Sequence, residues 1–396
     1  MRLLFFFALY LCALIIDYQI YRRIYRNTER RPKRRWLRPL FLIYAVTINI
    51  FIFTFIIFGY HWFFYGLHVA PLPLWLTWIF FFNAIPKCVY VLLYPLSRRL
   101  SIALASIAAF ILIKGAFYNI HRIEVKYVTI ESKKIPPSFD GYRMALFSDV
   151  HLGNLSQQKK FLNRAVNQIN ELQPDIIFQT GDLINIHTAE VSPSVQAIFS
   201  KFLAPDGVYG VLGNHDMGAY LGRRAKKSGY TPLENTRLLL LRQKDMGWII
   251  LQNESLQIGR GADSIGLCGV PYPPLPPRFP DSLTHFDPQL ATSLLDTTRF
   301  NIMLCHTPLV WETLQDDPAF KRVDLILSGH SHAMQAKVEI GSWQWSPARI
   351  IYRYWSGLYE HDNRYLYVNQ GLGYVVYPMR IGCKPEITLF TLKRKQ

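Results

Sequence analysis

Hydrophobic positions fall into two regimes along this chain: long unbroken runs before about residue 120, and short periodic ones after it. Four runs, at about 1–18, 40–60, 72–96 and 101–120, approach the roughly 17–25 apolar residues that span a bilayer. They predict a bundle of four transmembrane helices. Asn83, Pro86 and Lys87 interrupt the third and Lys114 the fourth, so these polar groups require a partner inside the bundle or a short reach to the interface. The first run starts like a signal peptide, but no small-residue cleavage site follows Ile16, and an uncleaved helix is expected.

Beyond residue 120 the pattern is that of an α/β domain covering 121–396. Alternation over 123–130 predicts a first strand, and 142–147 is an apolar run that ends at Ser148-Asp149. Residues 161–172 place Leu162, Ala165, Val166, Ile169 and Leu172 at helical spacing, and Pro174 stops that helix before the strand at 176–178. Ser192-Pro193 opens another helix, to about Phe202, and 208–212, 300–304 and 323–327 read as strands. Several of these strands run directly into polar motifs, and the carboxyl ends of strands are where open α/β sheets place their sites.

Two stretches stand apart. Residues 271–280 hold six prolines and predict a stiff extended loop. Residues 343–355 interleave Trp343, Trp345, Tyr352, Tyr354 and Trp355 with Arg349 and Arg353, which reads either as a hairpin with core aromatics or as a rim for a bilayer interface. No repeat of fixed period and no low-complexity tail is present.

Charge adds topology. Nine arginines and lysines between Arg22 and Arg38 separate the first two runs, residues 61–71 contain none, and Arg98-Arg99 precede the fourth run. The positive-inside rule then puts the first and third loops in the cytoplasm and the C-terminal domain on the periplasmic or extracellular face. The net charge of +17 is inflated by this cluster, which suits anionic membrane lipids and argues against nucleic acid as a partner. Of five cysteines, Cys12 and Cys88 fall in the membrane runs; Cys268, Cys305 and Cys383 show no close spacing and define no disulfide framework.

The chemistry lies in five ordered blocks: Asp149-Val150-His151, Gly181-Asp182, Gly213-Asn214-His215-Asp216, Cys305-His306 and Gly329-His330-Ser331-His332. Asp149, His151, Asp182, Asn214, His306, His330 and His332 supply carboxylate, amide and imidazole donors. Such a set favours manganese, iron or zinc over calcium. Asp182 follows a Gly that lets the backbone approach closely, and a carboxylate there could bridge two cations about 3.5–4 Å apart. His215, next to Asn214, is left free for the substrate. His121, His187, His285 and His361 fit no block.

The ordered set resembles the signature of the calcineurin-like metallophosphoesterase superfamily over roughly residues 140–392. The closing segments Tyr367-Val-Asn-Gln-Gly-Leu-Gly, Pro378-Met-Arg and Pro385-Glu-Ile-Thr-Leu resemble its membrane-associated branch, which contains the YkuE-type proteins. The resemblance implies two packed mixed β-sheets flanked by helices and a site for two divalent metal ions. It implies that Asp149, His151, Asp182 and His332 hold the first metal and Asp182, Asn214, His306 and His330 the second. It further implies that His215, oriented by Asp216, protonates the leaving oxygen. One departure is visible: the branch continues G-H-T-H-G-G-Q, whereas His332 is followed here by Ala333-Met334-Gln335, which should reshape the substrate pocket without removing a ligand.

The expected activity is hydrolysis of a phosphomonoester, phosphodiester or pyrophosphate bond by a metal-activated hydroxide, with a lipid or headgroup substrate suggested by the membrane helices. A UDP-linked lipid precursor is the alternative substrate. A non-catalytic membrane protein with a degenerate site, or a transporter carrying an appended domain, are the alternatives outside that chemistry.

Overall fold

A computed structural model describes residues 2–54, 71–155, 158–218, 220–221, 229–273, 285–314, 316–341 and 343–396. Two compact units result, one of the N-terminal helices to Phe117 with residues 376–379, the other of residues 118–375 and 380–396.

Among the described residues the first unit holds four long helices: α1 (Arg2–Glu29), α2 (Leu37–Thr54), α3 (Pro71–Leu93) and α4 (Arg98–Phe117). Among the described residues three segments, not the expected four, are long and apolar enough to cross a membrane: Pro32–Thr54, Leu74–Leu93 and Arg98–His121. The side chains of α1 are described only from Tyr10 onward. From there Asp17, Gln19, Arg22, Arg23 and Arg26 break the apolar run. Residues 55–60 of the second expected run and 61–70 of the connection after it lie outside the described residues. Pro86 is accommodated inside a continuous α3. The interruption at Lys87 is answered by Asp17, whose carboxylate takes Lys87 Nζ at 2.6 Å and Asn49 Nδ2 at 2.6 Å, so the charge is paired inside the bundle.

Among the described residues the second unit contains fourteen strands. One six-stranded sheet runs in the order β1 (Glu124–Ser132), β14 (Glu386–Arg394), β2 (Arg143–Phe147), β3 (Ile176–Thr180), β4 (Val208–Val211) and β5 (Trp248–Ile250). The other runs β12 (Gly357–His361), β13 (Arg364–Val368), β9 (Leu325–Ser328), β8 (Asn301–Leu304), β7 (Asp263–Gly269) and β6 (Glu254–Arg260). Both are mixed. β2 through β5 are parallel, with β14 antiparallel to β2, and β13, β9, β8 and β7 are parallel between the antiparallel edges β12 and β6.

Period-two alternation explains the layering. Met144 and Leu146 of β2 and Phe178 of β3 share one core with Leu267 of β7, Ile302 and Leu304 of β8 and Leu325 and Leu327 of β9. On the opposite face of β2, Phe147 meets Phe199, Phe202 and Trp248. The helix Lys159–Glu171 buries Phe161, Leu162, Ala165, Val166 and Ile169, one stripe of a 3.6-residue period. The helix expected from Ser192 is Pro193–Phe199, with the Ser192 hydroxyl accepting from the Val195 amide.

The aromatic stretch at 343–355 is not one hairpin. A two-stranded sheet pairs β10 (Val338–Ile340) with β11 (Trp343–Trp345), and a short 3-10 turn follows at Pro347–Ile350. Trp355 is buried, but Trp343 and Trp345 are exposed. Most of the proline-rich loop, residues 274–280, lies outside the described residues.

Candidate metal centre

The five blocks converge at the carboxyl ends of β2, β3, β4, β8 and β9. Asp149, His151, Asp182, His330 and His332 all have positive φ, between 49° and 70°. Non-glycine residues rarely adopt that region, and its concentration here marks backbone bent to aim side chains inward. Close approach sets two glycines: a Cβ on Gly213 would collide with the Asp182 carboxylate, and one on Gly329 with Ser148 Oγ and Asp149 Oδ2.

Two donor clusters result. His151 Nε2 and His332 Nε2 face one another at 2.9 Å, and His332 Nε2 lies 3.3 Å from Asp149 Oδ1. His306 Nε2 lies 3.2 Å from Asp182 Oδ2, 3.1 Å from Asn214 Oδ1 and 3.1 Å from His330 Nδ1. Asp182 joins the clusters, because its Oδ2 is also 3.7 Å from His151 Nε2. Three groups of metal-binding geometry are therefore present: Asp149, His151 and His332; Asp182, His306 and His330; and His151, Asp182 and His215.

Surrounding contacts fix the donors. The His306 Nδ1–H donates to the Thr180 carbonyl at 2.6 Å, leaving Nε2 for the site. His330 presents Nδ1 instead, because its Nε2 meets the Tyr352 hydroxyl at 3.1 Å. Asn214 Nδ2 donates to Tyr220 Oη at 3.0 Å, which turns Oδ1 inward. Asp149 accepts from Ser148 Oγ and from the His330 amide. The Asp182 Oδ1 accepts from the His215 amide at 2.8 Å.

Electrostatics follow from burial. Desolvation, and then the Asp182 charge, push Asp149 up to about 7. Asp216 also reaches about 7, through burial and then Asp182. Burial and neighbouring imidazoles lower His151 and His330 to about 3 and take His332 well below its usual value. His306 moves the other way: burial opposes its charge, but Asp182 and Asp149 overcome that and raise it to about 9. Burial likewise opposes the Asp182 charge, but His306 and His215 hold its carboxyl well below the usual range.

The residues fit a pair of divalent ions. His151 Nε2, His332 Nε2 and Asp149 Oδ1 lie within 4.0 Å of one another in a buried position, three donor atoms within reach of one ion. Imidazole, carboxylate and amide donors together match manganese, iron or zinc.

Asp216 bears on His215 through the backbone of the loops rather than through the ring. Its carboxylate does not touch the His215 ring; it accepts from the Ile184 and Gly213 amides and ties the two loops together. The His215 ring is oriented by the Asn185 carbonyl, 2.7 Å from Nδ1, and by Tyr220, stacked on it at 4.2 Å. Asn185 and Tyr220 went unread in the sequence, Tyr352 was read only within the aromatic stretch, and of the three only Asn185, three residues past Asp182, carries a local signal. Met334 packs against the cluster of Ala333, Ala348 and Trp355. The remaining histidines have other partners: His187 Nδ1 caps the Ala189 amide, and His361 pairs with Asp362 at the surface.

The fold and donors define a metallophosphoesterase, and the comparisons agree. The family model for calcineurin-like phosphoesterases matches residues 142–334. The chain is 32% identical to the uncharacterized metallophosphoesterase YkuE of Bacillus subtilis over 280 residues, covering 69% of this chain and 86% of that protein. It is 28% identical to the transmembrane protein with metallophosphoesterase domain of Danio rerio, over 75% of this chain and 64% of the relative. It is 26% identical to the UDP-2,3-diacylglucosamine pyrophosphatase LpxG of Chlamydia muridarum, over 61% and 81% of the two chains. The chain belongs to the calcineurin-like metallophosphoesterase family, whose members are phosphoester hydrolases that use divalent metals.

Proposed function

We propose that this protein is a multi-pass, membrane-anchored hydrolase of a phosphoester or pyrophosphate bond in a lipid or headgroup substrate, working with two divalent ions on the outer face of the membrane. The observation that carries the reading is the pair of donor clusters joined through Asp182. Asp149, His151, Asp182 and His332 would hold one ion and Asp182, Asn214, His306 and His330 the other. When bound, such ions polarise phosphoryl oxygens and make water acidic enough to yield a nucleophile near neutral pH.

The chain's own residues supply the rest. His215 is partly exposed where His151 and Asp182 are buried, so it faces an incoming ester. With Nδ1 held on the Asn185 carbonyl, Nε2 is the nitrogen that hands a proton to the leaving oxygen. Asp216 keeps the loops after β3 and β4 in register so that His215 and Asp182 stay together. Every donor position being filled and convergent argues against a degenerate, non-catalytic site.

Similarity to the chlamydial UDP-2,3-diacylglucosamine pyrophosphatase supports a second reading, a UDP-linked lipid precursor as substrate. Such nucleotide-linked compounds are normally cytoplasmic, whereas the charge bias of the loops supports a domain on the outer face. Labelling a cysteine added after Gln396 with a membrane-impermeant reagent, alongside hydrolysis assays on lipid phosphomonoesters, phosphodiesters and a nucleoside diphosphate lipid, tests both. An accessible C-terminus with turnover of the simple lipid ester supports the first reading. A cytoplasmic C-terminus with turnover of the nucleotide-linked lipid supports the second.

A further inference from the structure

The pairing of β10 with β11 places Val338 opposite Trp345 and Ile340 opposite Trp343. Alternation puts all four on one face of the two-stranded sheet. That face is exposed: Val338 is 47%, Ile340 70%, Trp343 53% and Trp345 40% accessible. The other face carries Glu339, in an ion pair with Lys337 at 2.6 Å, opposite Gln344. Ile350 and Ile351, just beyond the sheet, are 83% and 58% accessible, and the exposed Arg349 and Arg353 lie beside them in sequence.

A folded domain has no cause to present a whole sheet face of tryptophan, valine and isoleucine to water. Tryptophan flanked by aliphatics is the composition that settles at the headgroup level of a bilayer, where the indole meets both apolar and wet surroundings. Two arginines next to it complement phospholipid phosphates. The same chain carries helices long and apolar enough to cross a membrane, so a lipid surface is at hand.

We propose that the Val338, Ile340, Trp343 and Trp345 face is a lipid-docking surface that inserts into the headgroup boundary of a bilayer. The segment that carries it reaches the metal centre twice: Tyr352 Oη meets His330 Nε2 at 3.1 Å, and Ser331 Oγ donates to the Trp355 carbonyl at 2.6 Å. The exposed face and the donor clusters are thus joined through one stretch of chain. The docking itself does not depend on the chain being active.

The test uses the full chain in nanodiscs of phosphatidylcholine and phosphatidylglycerol, with the phosphatidylcholine either plain or brominated on its acyl chains. Tryptophan emission is compared between the wild type and Trp343→Ser/Trp345→Ser; the difference isolates these two indoles from the other seven. Insertion predicts that the difference signal loses most of its intensity in brominated discs. A difference signal equal in both discs overturns the proposal, and so does one protected by a second protein chain. A companion variant, Val338→Ser/Ile340→Ser, keeps both indoles as reporters and should weaken their quenching; undiminished quenching counts against docking by this face. Unchanged hydrolysis of bis-p-nitrophenyl phosphate by both variants shows that they remain folded.

Discussion

His151 Nε2 and His332 Nε2 face each other across 2.9 Å in a fully enclosed position, and burial lowers both imidazoles. Two neutral rings so placed, with Asp149 Oδ1 beside them, offer lone pairs that one ion can share. Replacing His332 by alanine should lower bound metal from about two ions per chain toward one, with the ion between Asp182, Asn214, His306 and His330 retained. His306→Ala should give the complementary loss. Elemental analysis of purified variants reads both; equal loss of both ions in each would mean that the clusters do not act separately.

Metal-free protein should have a characteristic pH dependence. His306 is raised from 6.5 to about 9 in the fold, so the folded state keeps a proton that the unfolded chain releases. That stability is fully present below 6.5 and is lost as the pH rises through about 9. Melting temperature in chelator should therefore fall between those pH values. In metal-loaded protein His306 is a deprotonated ligand, and the fall should disappear. A metal-free melting temperature that rises over the same range would contradict this charge balance.

Arg380 is buried and donates to the carbonyls of Gln370, Gly371 and Gly373, with His332 Nδ1 3.5 Å away. This loop is the floor beneath Asp149 and Val150: a Cβ on Gly373 would strike the Val150 carbonyl. Arg380→Met strands buried carbonyls at ~1–3 kcal/mol each. It should also weaken binding at the Asp149, His151 and His332 cluster by about 10–100-fold, the usual effect of losing a group that orients ligands. Gly373→Ala should shift the same cluster. Metal titration by calorimetry and thermal melts measure both, and Arg380→Lys should restore part of the stability.

His215→Ala should keep its metal and lose rate by about 10²–10⁴-fold, the range for a positioned general acid. His215 lies close enough to His151 and Asp182 to count as a donor itself, so metal content decides between the roles. A metal-depleted variant would make His215 a ligand.

The site was more legible in the sequence than the fold around it. Short polar motifs after apolar runs pointed to strand ends, since a ligand aimed by a strand terminus leaves a local signature. The sheet order did not show. The last strand, Glu386–Arg394, inserts between β1 and β2 through pairings more than 200 residues apart, which no local pattern records. Adjacency also misled: Asp216 sits beside His215 in sequence, yet its carboxylate turns to the Ile184 and Gly213 amides, and the ring is held by Asn185 from another loop. The Ala333-Met334 departure marked real strain, since both residues adopt positive φ, where the glycines they replace would cost least.

The central claim is that Asp182 serves both clusters. Metal content and bis-p-nitrophenyl phosphate hydrolysis, measured on the same detergent-purified wild type and Asp182→Ala proteins, test it directly. The account predicts about two manganese, iron or zinc ions per wild-type chain with turnover, and loss of turnover with depletion of both ions in the variant. Wild-type protein that binds no metal and hydrolyses nothing after manganese, iron or zinc is supplied, or an Asp182→Ala protein that keeps both ions and full activity, would contradict it.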